Sequence, residues 1–206
     1  MKNIQILIII LFSIGVSAQN IAEINSDLKL TDSLSYKTEV RIYQSSETTN
    51  YSSLFRMFKD ESKKWTSEFY QHYAKVKGKS KLRTEKQELK SKNNMDSIYR
   101  SLVRSYILEL PSENEIGWKM IKRGTIEKIE RFRNGEKKVT YELFNRRWGI
   151  LDGEGFKVQV KDWNGKNEFE YSNPDRYLSY YTDIDELNYM CEILSTIRNE
   201  FGIWEK

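Results

Sequence analysis

Ile184, Leu187, Cys191, Leu194, Ile197 and Phe201 recur at three- and four-residue steps, which places them on one face of an α-helix. Thr182, with Asp185 three residues on, reads as a capping pair at its start. Gly202 stands where a left-handed residue closes a helix, and Ile203 is placed to cover the last turn. A helix with a single apolar face has to bury it against a second layer. The rest of the chain supplies that layer as strands.

Tyr36, Thr38, Val40 and Ile42 alternate with Lys37, Glu39 and Arg41, the period of a half-buried strand over residues 35–43. Phe156, Val158 and Val160 alternate with Lys157, Gln159 and Lys161, after which Asn164-Gly165 turns the chain and residues 168–171 return it. Val139, Tyr141 and Leu143 follow a second tight-turn signal, Asn134-Gly135. Ile126, Ile129 and Phe132 fit either the partner strand of that hairpin or a short helix. Residues 54–76 are similarly double-valued. Trp65, Thr66, Phe69 and Tyr70 are poor helix formers and favour two strands turning around residues 60–64. The Ser, Thr and Asn of residues 45–53 read as a loop. A helix is expected over residues 94–109, capped by Asn94 or Asp96, with Ile98, Leu102, Val103 and Tyr106 on one face and Pro111 as its stop. Asn173-Pro174 opens a further short helical turn. The fold class is therefore α+β: a mainly antiparallel sheet with one central helix and a C-terminal amphipathic helix.

The other end of the chain constrains location. Lys2 precedes an apolar run from Ile6 to Phe12, and Val16-Ser17-Ala18 has the small-residue spacing that a signal peptidase accepts. The run is too short to span about 30 Å of hydrocarbon, which takes roughly 20 apolar residues. Cleavage between Ala18 and Gln19 is expected, with no Cys at that junction to take a lipid anchor. The chain then divides into a signal (1–18), a loose polar lead-in (19–34) and a single α+β domain (35–206). Its location is expected to be periplasmic or secreted, as a soluble protein.

Without Lys2 the balance is 33 cations against 30 carboxylates, too even to demand nucleic acid. Cys191 is the only cysteine, so no internal disulfide is available, and its place in the apolar stripe reads as packing. A Ser-His-Asp or Cys-His site has to run through His72, the only histidine, whose neighbours Tyr70 and Tyr73 point to an aromatic packing position. Ser26-Asp27-Leu28-Lys29 matches a Ser-x-x-Lys spacing without companion motifs. Asp152-Gly153-Glu154-Gly155 lacks the third glycine of a dinucleotide loop, and Asp162-Trp163-Asn164-Gly165 runs into Lys166 where a calcium loop needs oxygen. No cofactor or metal spacing emerges.

Two surface features remain. Lys75, Lys77, Lys79, Lys81, Arg83, Lys86, Lys90 and Lys92 face only Glu85 and Glu88, a local charge of +6. Of these, Lys77, Lys79, Lys81 and Arg83 are the expected contacts for an anionic envelope component or an acidic protein. Tyr177, Tyr180, Tyr181, Trp148 and Trp163 are candidates for a sugar-stacking face or, more simply, for sheet packing. The expected function is a non-catalytic binding or structural protein of the envelope or exterior. The alternative is a carboxylate-dependent hydrolase with glycosidase-like acid/base chemistry, which needs only two carboxylates in unlike surroundings.

Overall fold

The computed structural model describes residues 21–46, 48–150 and 153–204, so the expected Ala18–Gln19 junction and Asp152 lie outside the described residues. Its centre is an antiparallel sheet of six strands: β1 (Thr38–Ser46), β2 (Tyr51–Lys59), β3 (Trp65–Tyr73), β4 (Arg83–Glu88), β7 (Glu154–Lys161) and β8 (Lys166–Ser172). Their order is β4-β3-β2-β1-β7-β8, a meander that closes on a distant hairpin. The insertion between β4 and β7 holds a second, two-stranded ribbon, β5 (Lys122–Arg133) and β6 (Glu136–Arg146).

Alternation along the strands sends two kinds of side chain to two faces. Val40, Ile42, Phe55, Met57, Phe69, Phe156, Val158, Val160 and Phe169 form one face. It packs against Ile98 and Leu102 of helix α2 (Met95–Arg104), Tyr177 of α4 (Pro174–Tyr180), and the stripe of α5 (Asp185–Phe201). The stripe runs as the spacing predicts: Leu187, Leu194 and Ile197 are fully buried, and Gly202 closes the helix at φ 64°. α+β architecture on an antiparallel sheet is thus the fold, but one central helix is too few. Among the described residues, α1 (Ile21–Asp27), α3 (Glu113–Ile116) and a 3-10 turn (Gly117–Met120) accompany α2, α4 and α5.

Four local expectations change. Helix α2 is capped by Asn94 but ends at Arg104, because Tyr106 takes φ 58° and breaks the helical path well before Pro111. Val103 and Tyr106 are consequently exposed. The N-cap of α5 is the buried Ile184, with no side-chain cap bond, so Thr182 and Asp185 do not form a capping pair. Packing of Ile184 into the core sets the start of that helix. The serine-rich stretch expected as a loop is mostly strand: Ser45 and Ser46 end β1, and Ser52 and Ser53 lie buried in β2. At Asn134-Gly135 both residues have positive φ, 54° and 82°, as a two-residue hairpin turn requires, and residues 126–132 are its strand. At Asn164-Gly165, by contrast, the carboxylate of Asp162 makes the turn by accepting the N–H groups of Asn164 (2.7 Å) and Gly165 (3.2 Å).

The polar lead-in is a strap. Helix α1 lays Ile24 against Tyr43, Leu54 and Tyr70 on the second face of the sheet, forming a separate small core. No helix among the described residues is long and apolar enough to cross a membrane.

Candidate functional site

The face that carries the main core continues past the end of α5, and there its side chains change character. Gln44 lies in phase with Val40 and Ile42 on β1, and Gln71 lies in phase with Phe69 on β3. Register pairs Gln44 with Ser53 and Ser53 with Gln71, so the three polar side chains form a row across adjacent strands. Gln87 of β4 stands opposite Phe69 beside them. The chain leaving α5 turns at Gly202 and sets Trp204, at φ 55°, against this row. Its indole Nε1 donates to Ser53 Oγ at 2.8 Å, and Ser53 donates to Gln44 Oε1 at 3.0 Å. The same ring meets Phe55, Phe69 and Phe156 edge-on at 6.3, 6.0 and 5.8 Å. Trp204 therefore closes the core on one side and walls a shallow cleft of about 480 Å³ on the other, lined also by Tyr51, Gln71, Gln87 and Glu154.

The basic segment reaches this cleft through Gln87 of β4. Strand β3 ends at Tyr73 and β4 begins at Arg83, and a turn joins them. Val76 and Ser80 pair across the turn, Gly78 sits at φ 74°, and Asn50 Nδ2 ties the turn down by donating to Ala74 O at 2.7 Å. Lys77, Lys79 and Lys81 stand exposed on it. Arg83 is different. Its guanidinium lies 4.3 Å from the Tyr73 ring centroid and 3.2 Å from Glu85, and Tyr73 in turn packs against Tyr51 at 5.1 Å. So three of the four expected contacts form an exposed cationic loop. The fourth is already paired and braces the aromatic rim. Amides that both donate and accept, aromatic faces and a cationic border, all carried on strand ends, make a surface suited to hydroxyl-rich anions.

His72 does not sit in an aromatic packing niche. It lies on the second face of the sheet, 1 % exposed, with Nδ1 3.1 Å from Ser52 Oγ and Nε2 2.8 Å from Asp27 Oδ2. Register sets Ser52 beside His72, and α1 carries Asp27 over them. The composition is that of a Ser-His-Asp site, but Ser52 is 1 % exposed under the strap and neither cleft described here reaches it. The arrangement clamps the strap to the sheet. The Ser26–Lys29 tetrapeptide ends just past α1, with Asp27 spent on this clamp.

Beside the clamp runs a line of ion pairs across four strands, buried from Glu39 to Glu68 and exposed at Lys86. Glu39 Oε1 accepts from Arg41 Nε and Arg56 Nε, each at 2.8 Å, and its Oε2 accepts from the Tyr36 N–H at 2.9 Å. Arg56 continues to Glu68 at 3.3 Å, and Glu68 to Lys86 at 2.7 Å. Burial pushes the Glu39 carboxyl up, but the Arg56 bond, the Tyr36 N–H and the Arg41 charge outweigh it and hold it below the usual range. Glu68 is likewise held down, burial being outweighed by Lys86 and Tyr70. Thr31 O and Ser33 O, from the strap, cap the fully buried Arg41 at 2.6 and 3.4 Å.

The remaining candidates are scattered. Trp148 stacks on Tyr180 at 4.7 Å, and the Trp148 backbone N–H donates to the hydroxyl of the buried Tyr181, with Tyr177 buried behind. Trp163 is at the far end of β7, 88 % exposed, so the five aromatics do not form one face. Asp162 accepts the Tyr99 hydroxyl in addition to its turn bonds, and burial with this carboxylate pushes the Tyr99 phenol well up. A second cleft, about 570 Å³, holds Glu113, Glu170, Arg147 and Lys157. Glu113 there accepts Ser172 N–H and Oγ–H at 2.7 and 3.0 Å and faces Arg147 at 3.8 Å. Among the described residues no three His, Cys, Asp or Glu side chains converge to hold a metal ion. Comparison with protein-family models, curated proteins and solved structures finds no match for this chain.

Proposed function

We propose that this chain is an exported, non-catalytic binding protein of the cell envelope or its surroundings, and that it holds an anionic glycan along the open end of its sheet. The observation that carries this reading is the Gln44–Ser53–Gln71 row against the Trp204 wall, from which the Tyr51–Tyr73–Arg83 rim leads to the lysine turn. Sugar hydroxyls meet amides, sugar faces meet Tyr51 and Trp204, and carboxylate, sulfate or phosphate groups meet Lys77, Lys79 and Lys81. The N-terminal apolar run and the small residues ending at Ala18 support export. Hydrolysis is the weaker reading, because a glycosidase needs a carboxyl held protonated near neutral pH. The buried carboxyls Glu39 and Glu68 move the other way, and Glu113 is occupied by Ser172 and Arg147.

Titration with acidic and neutral polysaccharides at two salt concentrations tests the proposal. Binding confined to acidic chains and weakening as the Debye length falls from about 10 Å at 0.1 M toward 3 Å at 1 M is expected. The combined K77S, K79S, K81S and R83S variant should lose salt-dependent affinity, and Gln71→Ala should lose affinity that salt does not modulate. Equal binding by all three proteins removes the site. Release of reducing ends from the bound glycan establishes the hydrolase instead.

A further inference from the structure

The ribbon of β5 and β6 pairs with no other strand, and every residue from Thr125 to Leu143 is exposed or only partly covered. Opposite residues of an antiparallel pair share a face, so the register sorts its side chains. Ile126 pairs with Leu143, Lys128 with Tyr141, Glu130 with Val139, and Phe132 with Lys137, all on one face. On that face Ile126 is 72 %, Phe132 73 %, Tyr141 70 % and Leu143 59 % exposed. Single exposed apolar residues are ordinary, but a contiguous row of this kind marks a contact surface. A two-stranded ribbon also has little stability of its own, so burying this face elsewhere would contribute much of what holds it.

Charge selects the occupant. Residues 122–146 carry Lys122, Arg123, Lys128, Arg131, Arg133, Lys137, Lys138 and Arg146 against Glu127, Glu130, Glu136 and Glu142, a net +4. On the apolar face itself Glu130 is held between Lys128 (3.0 Å) and Lys137 (2.6 Å). A second copy of the ribbon would bring the same sign of charge to the same face. The surface that offers both apolar depth and negative charge along a flat row is an anionic bilayer. We infer that the β5–β6 ribbon docks on anionic lipid, with Ile126, Phe132, Val139, Tyr141 and Leu143 at the acyl boundary and Lys128 and Lys137 of the same face among the phosphates, while Arg131, Arg133 and Lys138 on the opposite face add to the positive field of the ribbon. Both outer edges of the ribbon present unpaired backbone groups, which need water or headgroups, so it lies along the interface and does not cross it. Gly124 sets the departure from the body. A Cβ there would fall 1.3 Å from Phe144 O, and the register slips between Lys122 and Thr125, so a bulge that only glycine fits roots the ribbon.

Co-sedimentation with vesicles of phosphatidylcholine alone, or with phosphatidylglycerol added, tests the inference. All proteins are compared in the same N-terminal form, so that the apolar leader does not contribute to the differences. The chain should pellet with phosphatidylglycerol vesicles and stay free of pure phosphatidylcholine. The I126S, F132S and Y141S combination should weaken that binding at least about tenfold, since each removed side chain loses a substantial transfer term. The substitutions are at exposed positions, so circular dichroism and the melting temperature of the body should not move. The lysine-turn variant should bind vesicles as the parent does, which separates this surface from the glycan site. Equal pelleting with both vesicle types, retention by the triple variant, or a dimer in sedimentation velocity that the triple variant abolishes would overturn the lipid assignment.

Discussion

Replacing Glu39 by Gln should be among the most damaging single changes this fold can take. The side chain is fully buried, and its two oxygens accept three donors: Arg41 Nε, Arg56 Nε and the Tyr36 N–H. Glutamine keeps the shape but turns one acceptor into a donor, so an N–H must face either a guanidinium or the Tyr36 amide. Arg41, also fully buried, then loses its carboxylate counter-charge while keeping the carbonyls of Thr31 and Ser33. Removing one partner of a buried ion pair typically costs about 3–5 kcal/mol, against a total stability of roughly 5–15 kcal/mol. For a chain of this length that corresponds to a fall in Tm of about 6 to 20 °C. Urea melts at neutral pH would measure it.

The pH dependence supplies a second readout. Glu39 and Glu68 titrate lower in the folded protein than in the unfolded chain. Their contribution is therefore complete above the unfolded carboxylate pKa, near 4.3, and is lost as pH falls through the folded values. Parent stability should be level between pH 7 and 5.5 and drop below about 4, and the E39Q variant should show a shallower acid limb. Changing Glu39, Arg41 and Arg56 together to Met should recover most of the loss, because no buried charge is then left unpaired. A cost for E39Q below about 1 kcal/mol, the range of an exposed pair, would refute the buried-ladder argument.

Cys191 packs in the α5 stripe and is buried, so maleimide labelling should be slow in native buffer and complete in denaturant; rapid native labelling contradicts the packing. Gly124→Ala should abolish protection of ribbon amides in hydrogen exchange while the body melts within about 1 kcal/mol of the parent, since the clash is confined to the bulge. His72→Ala removes both ends of the clamp to Ser52 and Asp27; a loss of about 1–3 kcal/mol and faster proteolysis within residues 21–36 are expected, and an unchanged cleavage rate would show that the strap is held by other contacts. Mass analysis of the exported chain should find Gln19 at its N-terminus, and retention of Met1 would remove export from the proposal.

Local periodicity made the hairpins and α5 legible, because each depends on neighbours within a few residues. The second face of the sheet was not legible in that way. Glu39 and Arg41 read as solvent-facing positions of a half-buried strand and His72 as aromatic packing, and only the strap, 10 residues from Arg41 at Thr31 and 45 from His72 at Asp27, turns that face into an interior. The same holds for Ser52 and Ser53, whose hydroxyls meet His72 and Trp204 from distant elements. The end of α2 escaped because a positive φ at Tyr106 is rare for an aromatic residue and carries no sequence mark. The cleft did leave a trace: Gln44 and Gln71 follow the apolar Ile42 and Phe69 in the inward phase of their strands, and an amide in that phase signals a sheet that outruns its cover.

Charge distribution joins the two proposed surfaces. From Gln19 onward the chain carries +3, yet residues 75–92 hold +6 and the ribbon residues 122–146 hold +4, so everything else sums to −7. A near-neutral total thus conceals an acidic body with two basic projections. An anionic bilayer would repel the body and attract the ribbon, and an anionic glycan would meet the lysine turn. With 11 residues in its shorter strand at about 3.4 Å each, the ribbon reaches roughly 35 Å from its root, several times a Debye length of about 8 Å at physiological salt. At that distance the body's repulsion is screened while the ribbon tip is in contact. Lowering the salt should therefore strengthen tip attraction and body repulsion together, and the lipid affinity of the whole chain should depend on salt less steeply than its count of ribbon cations alone would give.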